Sequence, residues 1–360
     1  LKYKLMEKKM SSKKITRRSL VKASSLIATA GILSACNNGG TPSKPSDSTN
    51  IIKKSLQWKM LTTWPKNFPA LGTGAQRIAD SIGEMSNGQL VVKLYAGGEL
   101  VPPFECFDAV SQGTAQMSHG VSYYWINKNR STPFFATVPG GLTAQEQDAW
   151  IHYGGGQELW DELYSNFNLK AFLGGNSGVQ MGGWFRNEIK SLDDFKGLKM
   201  RMPGLGAEVI NRMGATAVSM PGGEIMPSLE SGAIDATEWV GPYNDLAFGL
   251  HQVAKYYYYP GWQEPGPNLE LIINKAAWDQ LPVDLQAIVE NASLAVNADL
   301  LSEYTARNNA ALRELVDNHK VQLRKLPSDV LAEIRDISYA VTKKIVDPDD
   351  DLAVRIFESY

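Results

Sequence analysis

Residues Gly222 to Tyr243 read GGEIMPSLESGAIDATEWVGPY, a stretch that predicts a turn, a short helix and a strand in succession. The helix is expected over Glu224–Ser231, and Gly232 ends it. The compact and partly β-branched segment Ala233–Thr237 that follows is typical of a strand. Glu238 therefore falls at the carboxyl end of a strand, the edge where open α/β sheets bind ligands. A solvated loop charge is the alternative interpretation of this carboxylate.

The same succession of elements occurs a second time, 125 residues earlier in the chain. Gly97–Pro102 reads GGELVP and is followed by a helical stretch and Gly113, just as Gly222–Pro227 reads GGEIMP and is followed by a helix and Gly232. Two similar α/β lobes that face each other across a cleft produce an internal repeat of this kind. The segment Val283–Leu326 contains neither Gly nor Pro, and its apolar spacing predicts a long helix that braces both lobes.

The first 35 residues have the form of an export signal rather than of a folded element. The segment Lys13–Lys22 reads KKITRRSLVK and contains twin arginines like those of a Tat signal, and the apolar run after it is too short to span a bilayer. Leu33–Cys36 reads LSAC and resembles the lipobox of bacterial lipoproteins, so Cys36 is predicted to be lipidated; an unlipidated secreted protein is the alternative. Residues 36–50 are rich in Asn, Gly, Ser and Pro and predict a flexible tether.

Charge and cysteine content exclude several kinds of partner and site. Residues 1–35 hold nine Lys or Arg and one Glu, so 27 basic and 37 acidic residues follow them, a net charge of −10 with histidine neutral. An acidic protein lacks the basic patches that nucleic acids and anionic membranes require, so contact with a membrane is expected only through the lipid anchor. With Cys36 in the anchor, Cys106 is the only other cysteine, which excludes an intramolecular disulfide, and no pair of histidines has zinc-ligand spacing.

Seven motifs resemble the solute-binding subunit of TRAP transporters, and in particular the branch that binds 2-oxo and 2-hydroxy acids with a metal ion. They are TRRSLVK (16–22), LYAGGELVP (94–102), GVSYYW (120–125), QMGGWF (180–185), SLDDFKGLKMRMPG (191–204), GATAVSMPGGEIMPSLESGAIDATEWVGPYND (214–245) and ELIINKAAWDQLP (270–282). The resemblance covers nearly all of residues 51 to about 300 and is less distinctive over the last 60. It implies a periplasmic-binding-protein-like α/β fold, with two domains around a cleft, a long bridging helix and C-terminal helices.

The resemblance also implies how the chain divides and what it does. The first lobe is expected over residues 51–177 with 264–303, and the second over 178–263 with 304–360. The implied function is the capture of a small monocarboxylate such as pyruvate or lactate in the periplasm or at the outer face of the cytoplasmic membrane. The protein would pass this ligand to TRAP membrane subunits without catalysis. Members of the branch also form homodimers by exchanging a C-terminal helix, for which the amphipathic segment 327–345 is a candidate.

The resemblance places a substrate carboxylate against Arg201. A guanidinium suits this role because its planar donors pair bidentately with a carboxylate and it stays protonated. Tyr124, Gln180 and Trp239 match further substrate contacts of the branch. Tyr123 competes with Tyr124 for this role, because neighbouring residues of a strand face opposite ways and only one of the two is expected to face the cleft.

Four residues match metal-ligand positions of the branch. The side chains of Gln180, Glu238 and Glu264 and the backbone carbonyl of Trp239 would bind the ion, and oxygens of the substrate would complete its shell. All of these are hard oxygen donors, which select sodium, calcium or magnesium over zinc or copper. Two carboxylates in a closed cleft are poorly balanced by one positive charge, so calcium is favoured and sodium is the alternative. Sodium would be favoured if Gln263 faced inward in place of Glu264.

Two other functions stay open on sequence alone. An exported metal-dependent hydrolase would use Glu238 and Glu264 as an acid and base pair, although no nucleophile or histidine motif accompanies them. A binding protein of an ABC importer for sugars or amino acids would share the fold. Arg201 and the oxygen ligands disfavour a neutral sugar as its cargo.

Overall fold

A computed structural model describes residues 55–360, and these residues form two mixed β-sheets covered by helices. The strands are β1 Leu56–Thr62, β2 Leu90–Tyr95, β3 Met117–Gly120, β4 Leu169–Asn176, β5 Gly183–Phe185, β6 Lys199–Arg201, β7 Thr216–Val218, β8 Ala236–Thr237, β9 Tyr256–Tyr259, β10 Asn268–Asn274 and β11 Gln322–Lys325. The predicted export signal, the lipidation site Cys36 and the tether lie outside the described residues.

Helices of very different length connect these strands. The α-helices are α1 Leu71–Met85, α2 Cys106–Ser111, α3 Ala144–Tyr153, α4 Gly156–Ser165, α5 Gly204–Arg212, α6 Ile225–Glu230, α7 Pro242–Phe248, α8 Lys275–Asp279, α9 Val283–Asp317, α10 Ser328–Lys344 and α11 Asp351–Ser359. Short 3₁₀ helices span Pro103–Glu105, Ser122–Trp125, Thr132–Phe135, Leu192–Phe195, Gly222–Glu224 and Leu250–Gln252. Among the described residues, no helix combines the length and the apolar character needed to cross a bilayer.

The two sheets draw on alternating parts of the chain. The first has the strand order β2-β1-β3-β10-β4, and the second has the order β11-β9-β5-β8-β6-β7. In the first sheet β10 is antiparallel to both of its neighbours, and in the second β5 is; the other pairs are parallel. The chain therefore passes between the sheets at residues 177–182, at 260–267 and through the segment that contains α9. This architecture confirms the predicted two-lobed α/β fold, while the exact lobe boundaries stay a prediction.

The secondary structure confirms the repeated succession of elements but not the match of GGELVP with GGEIMP, because Gly97–Pro102 precedes the first 3₁₀ helix whereas Gly222–Glu224 forms the second. In the first copy the 3₁₀ helix Pro103–Glu105 leads into α2, Gly113 and β3, and in the second Gly222–Glu224 leads into α6, Gly232 and β8. Both glycines have a positive φ, 79° and 74°, a backbone conformation that residues with a Cβ rarely adopt. Each copy therefore turns sharply out of its helix and sends a strand into a different sheet, β3 into the first and β8 into the second.

The strand predicted over residues 233–237 is shorter than expected. Only Ala236–Thr237 pairs in the sheet, because the Ile234 amide still donates to the Ser228 carbonyl (3.2 Å) and so belongs to the end of the helix. Glu238 nevertheless follows the strand directly, as the sequence predicts.

The long helix predicted after residue 283 is α9, with 35 residues. It packs against β4 and α1 on the side of the first sheet and against α7, which follows β8 of the second. It therefore braces both lobes. The helix ends earlier than the absence of Gly and Pro suggests, because Lys320 adopts a positive φ of 58° and the chain then enters β11.

The C-terminal helices fold back on their own chain. α10 packs against α5, and α11 packs against α4. The last residue, Tyr360, accepts a hydrogen bond from the Leu142 amide (3.1 Å) and packs against the ring of Trp150. Exchange of a C-terminal helix between two copies stays a prediction.

Glu270, near the centre of β10, is a buried carboxylate in the middle of the first lobe and is only 1% exposed. It accepts hydrogen bonds from the indole N–H of Trp125 and from the hydroxyl of Tyr164 (2.8 Å). Burial raises its pKa to about 7, although both hydrogen bonds favour the ionised form. The folded protein therefore holds this proton at pH values where the unfolded chain has released it.

We predict that Glu270→Gln changes how stability depends on pH. The folded pKa of about 7 lies above the ordinary 4.5, so the stability contributed by the protonated carboxyl is fully present below pH 4.5 and is lost as the pH rises through 7. We compare the free energy of unfolding of the variant with that of the wild type. The difference, variant minus wild type, should rise by about 3 kcal/mol between a pH below 4.5 and pH 8. Urea unfolding at several pH values measures it.

Glu162→Gln is the control for this experiment. A hydrogen bond from Arg355 lowers the pKa of Glu162, so its stabilising effect is present at neutral pH and is lost in acid. The difference from wild type should therefore change with pH in the opposite direction. A Glu270→Gln difference that is the same at every pH would contradict the raised pKa.

Candidate ligand-binding site

Two of the passages between the sheets, at 177–182 and 260–267, and the ends of three strands bring the predicted site residues to one place. These residues are Tyr123 and Tyr124 after β3, Gln180 in the first passage, Arg201 at the end of β6, Glu238 and Trp239 after β8, and Glu264 in the second passage. The backbone amide of Gln180 donates to the carbonyl of Glu264 (3.1 Å), so the two passages are joined to each other. The repeated strands β3 and β8 each end at this site.

Arg201 is a fully buried guanidinium whose donors are almost all engaged. It forms an ion pair with Glu238, donates from Nη1 to the Glu238 carbonyl (3.3 Å) and from Nε to the Met220 carbonyl (3.2 Å). Its Nη2 donates to the Tyr124 hydroxyl (3.3 Å), and the guanidinium carbon lies 5.3 Å from the ring centroid of Trp239. Burial opposes its charge, but the charge of Glu238 together with Tyr124, Tyr123 and Glu264 outweighs this effect and raises the Arg201 pKa. The arginine is therefore held in one orientation.

The two carboxylates of the site are both destabilised as anions. Burial raises the pKa of Glu238 to about 7 even though Arg201 acts in the opposite direction. Burial, and then the charge of Glu238, raises the pKa of Glu264 well above its ordinary value. The hydroxyl of Tyr123 donates to Glu264 Oε2 over 3.4 Å, and burial raises the Tyr123 pKa as well. One guanidinium therefore does not balance the two negative charges.

Besides Gln263 Oε1, which also lacks a donor, two acceptor oxygens of the predicted metal ligands have no hydrogen-bond donor among the described residues. They are Gln180 Oε1 and Glu238 Oε2, and both are buried. Such oxygens carry only lone pairs, and buried acceptors are normally satisfied by a donor or a cation. No cluster of three or more His, Cys, Asp or Glu side chains in residues 55–360 is arranged to hold a metal. A cation here would rely on two carboxylates supplemented by neutral oxygens, a set that fits a hard ion such as calcium or sodium.

A small cavity lies next to these groups. The polar and aromatic residues that line it are Trp64, Tyr123, Tyr124, Ser177, Gln180, Trp239 and Glu264. Gln263 does not line it, because its Nε2 donates instead to the Met181 carbonyl (2.8 Å). Of the two neighbouring residues between which the sequence leaves a choice, Glu264 is the one on the cavity.

The prediction that only one of Tyr123 and Tyr124 faces the cleft is wrong. β3 ends at Gly120, and both tyrosines lie in the 3₁₀ helix Ser122–Trp125 rather than on a strand. Successive residues of a 3₁₀ helix are rotated by about 120° instead of alternating between two faces. Tyr123 can therefore reach Glu264 while Tyr124 reaches Arg201, and both line the cavity.

Sequence reasoning missed two residues that shape the site. Trp64 lies two residues after the end of β1 and lines the cavity at the same sheet edge as Tyr124. The rule that ligands bind at the carboxyl ends of strands could therefore have found it. Asp245 is buried and accepts from Trp184 Nε1 (2.9 Å), from the Tyr257 hydroxyl (2.6 Å) and from the Val240 amide (3.2 Å). These hydrogen bonds fix the loop after β8 that carries Glu238 and Trp239. No local sequence pattern predicts these contacts.

Comparison with known proteins places the chain in a family. The family model for bacterial extracellular solute-binding protein, family 7 (DctP), matches residues 61–349. The chain belongs to this family. A relative from Nostoc sp., named monocarboxylate 2-oxoacid-binding periplasmic protein all3028, is 44% identical over 302 residues, which are 83% of this chain and 81% of the relative.

Two solved structures of TRAP periplasmic solute-binding proteins resemble this solute-binding protein closely. The protein from Pseudoalteromonas atlantica T6c has bound sodium and pyruvate, and the protein from Colwellia psychrerythraea has bound calcium and pyruvate. Each is 41% identical in sequence, superposes with a TM-score of 0.82, and is matched over 85% of this chain and 93% of its own. The fold and the family are therefore those of an extracytoplasmic solute receptor.

Proposed function

We propose that this solute-binding protein captures a small 2-oxo or 2-hydroxy monocarboxylate together with a metal ion and presents it to TRAP membrane subunits. The observation that carries the proposal is the buried cluster in which Arg201 and Tyr124 lie beside two acceptor oxygens without donors, Gln180 Oε1 and Glu238 Oε2. A carboxylate with an adjacent oxygen atom suits both halves of this cluster. Its charge pairs with the guanidinium, and its neighbouring oxygens complete the shell of a cation.

Each site residue takes one role in this proposal. Arg201 and Tyr124 hold the ligand carboxylate, while Gln180, Glu238 and Glu264 bind the cation with the backbone carbonyl of Trp239. The metal, when bound, supplies a positive charge that chelates adjacent oxygens of the ligand. The pyruvate bound by the two related structures and the name of the Nostoc relative support a 2-oxo acid as the ligand class.

A count of charges favours calcium over sodium. Arg201 contributes one positive charge, whereas Glu238, Glu264 and the ligand carboxylate contribute three negative charges. Calcium brings the total to zero, and sodium leaves one negative charge in a buried site, where an uncompensated charge is costly. Both ions occur in the related structures, so sodium remains the alternative.

Closure of the two lobes over the ligand is the expected consequence of this arrangement. We propose lobes that comprise residues 51–177 with 264–303 and residues 178–263 with 304–360. The passages at 177–182 and 260–267 would then act as the hinge and also carry two of the metal ligands. A ligand that contacts both lobes stabilises the closed state, because only that state offers all of the contacts.

Binding without turnover is part of the proposal. A hydrolase needs one carboxyl that is free to donate a proton and another that activates water, but Glu238 is engaged by Arg201 in an ion pair. The charged cluster of Arg201, Glu238 and Glu264 does not suit a neutral sugar. This argues against the alternative function, a sugar-binding protein of an ABC importer. The family is one of solute receptors.

We predict that binding of 2-oxo acids depends on metal. Pyruvate should raise the melting temperature of chelator-treated protein when calcium is added, because a ligand that binds only the native state stabilises it. Propanoate is the matched control. It has the carboxylate but no oxygen on the adjacent carbon to chelate the ion, so it should give little or no shift.

The outcome that would contradict the proposal is clear. If no 2-oxo or 2-hydroxy acid shifts the melting temperature, or if a chelator leaves the shift unchanged, the metal-bridged site is absent. Nuclear magnetic resonance of the mixture should show the added acid unchanged after long incubation. Product formation at a catalytic rate would favour an enzyme instead.

The choice of metal should change with one substitution. In Glu264→Gln the site loses one negative charge, so sodium rather than calcium balances it, and we expect the calcium affinity in the presence of pyruvate to fall about tenfold or more. Isothermal titration in calcium and in sodium buffers measures both. Gln263→Met is the control, because Gln263 is neutral and does not line the cavity, so its replacement keeps the charge of the site and should leave the metal preference unchanged. Calcium preference that survives Glu264→Gln would refute the charge argument.

We propose further that Cys36 carries a lipid that holds the protein at the outer face of the cytoplasmic membrane. The support is the LSAC sequence that ends at this cysteine, which lies outside the described residues. Cells that produce the full chain should incorporate labelled palmitate into the protein, and Cys36→Ser should abolish the label and release the protein into the soluble fraction. An unlabelled, soluble wild type would disprove the anchor.

A further inference from the structure

Trp64 forms one wall of the cavity from the side of the first sheet. It follows β1 and is only 3% exposed. Its ring meets Trp239 edge-on, with 6.3 Å between the ring centroids, and lies 6.4 Å from the ring of Tyr124. Trp239 follows β8 of the second sheet, so the two indoles meet where the lobes face each other. A ligand side chain that grows away from Arg201 is confined by these aromatic walls.

Both the backbone and the side chain of Trp64 are fixed by hydrogen bonds. The hydroxyl of Thr62 accepts from the Trp64 amide (2.8 Å) and donates to its carbonyl (3.1 Å), and the Gly97 amide donates to the same carbonyl (2.8 Å). At the far end of the side chain, the indole Nε1 donates to Nδ1 of His119 (2.8 Å). The ring is therefore held at both ends.

His119 lies in β3 and is completely buried behind Trp64, and it does not line the cavity. Its Nε2 is 3.0 Å from the carbonyl of Gly174 in β4. Only the neutral tautomer with a proton on Nε2 satisfies both partners, since Nδ1 must accept and Nε2 must donate. Burial lowers the His119 pKa to about 4, although the Gly174 contact favours the charged form. The imidazole therefore connects Trp64 rigidly to the body of the first sheet.

We propose that His119 is a positioning residue that limits the length of the ligand by holding Trp64 as a fixed wall. This inference rests on the proposed binding of 2-oxo acids. A buried indole whose N–H lost its acceptor would be free to leave its rotamer, because its present position would then leave a polar group unsatisfied. A wall that can move admits additional methylene groups, whereas a fixed wall excludes them through overpacking.

Two substitutions at position 119 separate this role from general stability. In His119→Asn the side-chain oxygen can take the place of Nδ1 and still accept from Trp64. In His119→Gln the amide can take the place of Nε2 and donate to Gly174, but the acceptor for Trp64 is lost. The two variants thus remove opposite halves of the same connection.

The experiment compares affinities for pyruvate, 2-oxobutanoate and 2-oxopentanoate by isothermal titration with calcium present. The wild type should bind each longer acid about tenfold more weakly than the one before. We expect the preference for the three-carbon over the five-carbon acid to fall about tenfold in His119→Gln and to stay within about threefold of wild type in His119→Asn. A stability effect alone would change all three affinities together.

Two further variants complete the test. Trp64→Phe keeps an aromatic wall but removes the indole donor and makes the wall smaller, so it should relax the preference at least as much as His119→Gln does. Asn274→Ala is the control. This buried side chain lies at the C-terminal end of β10 and donates to the Val110 carbonyl (2.8 Å). Its removal should lower the stability of the protein without changing the chain-length preference.

The results distinguish the inference from the function on which it rests. Unchanged chain-length preference in Trp64→Phe and His119→Gln, with pyruvate still bound, overturns the positioning role and leaves the proposed function intact. Equal relaxation in His119→Asn and His119→Gln also overturns it, because the retained acceptor would then not matter. A wild type that binds no 2-oxo acid refutes the proposed function and the inference together.

Discussion

The buried ion pair between Arg201 and Glu238 is the interaction on which the site depends. Both side chains are withdrawn from water, and such a pair recovers its desolvation cost only with good geometry and additional hydrogen bonds. Tyr124 and two backbone carbonyls supply bonds to the guanidinium, yet one carboxylate oxygen stays without a donor and Glu264 adds a second acidic group nearby. This excess of acceptors and negative charge is the reason for which we propose that a cation and a carboxylate bind the site together.

The fold delivers these groups through its repeated unit and its passages between sheets. β3 and β8 occupy matching places in the two copies of the repeat and end at the tyrosines and at Glu238, respectively. Gln180 and Glu264 lie on the segments that connect the two sheets, so in the proposed mechanism binding and closure involve the same backbone. Behind this first layer, Asp245 fixes the loop of one lobe and His119 fixes the tryptophan of the other. In the proposed complex the ligand would thus meet walls whose positions are set by buried hydrogen bonds.

Local patterns in the sequence predicted the parts of this structure that local forces decide. The long helix α9 follows from a stretch without Gly or Pro, and the repeat follows from glycines at 113 and 232 whose positive φ ends each helix. The interpretation of Tyr123 and Tyr124 failed because a short aromatic segment after a strand suits a 3₁₀ helix as well as an extended chain. The contact between Trp64 and His119 joins residues 55 positions apart, and only the packed structure reveals it.

Linked binding of metal and ligand tests the central claim most directly. The calcium affinity should be measured by isothermal titration with and without saturating pyruvate, and the pyruvate affinity with and without saturating calcium. Because the charges balance only when both are present, each should raise the affinity of the other by the same factor, about tenfold or more. Calcium and pyruvate affinities that stay within about twofold regardless of the other component would contradict a shared site.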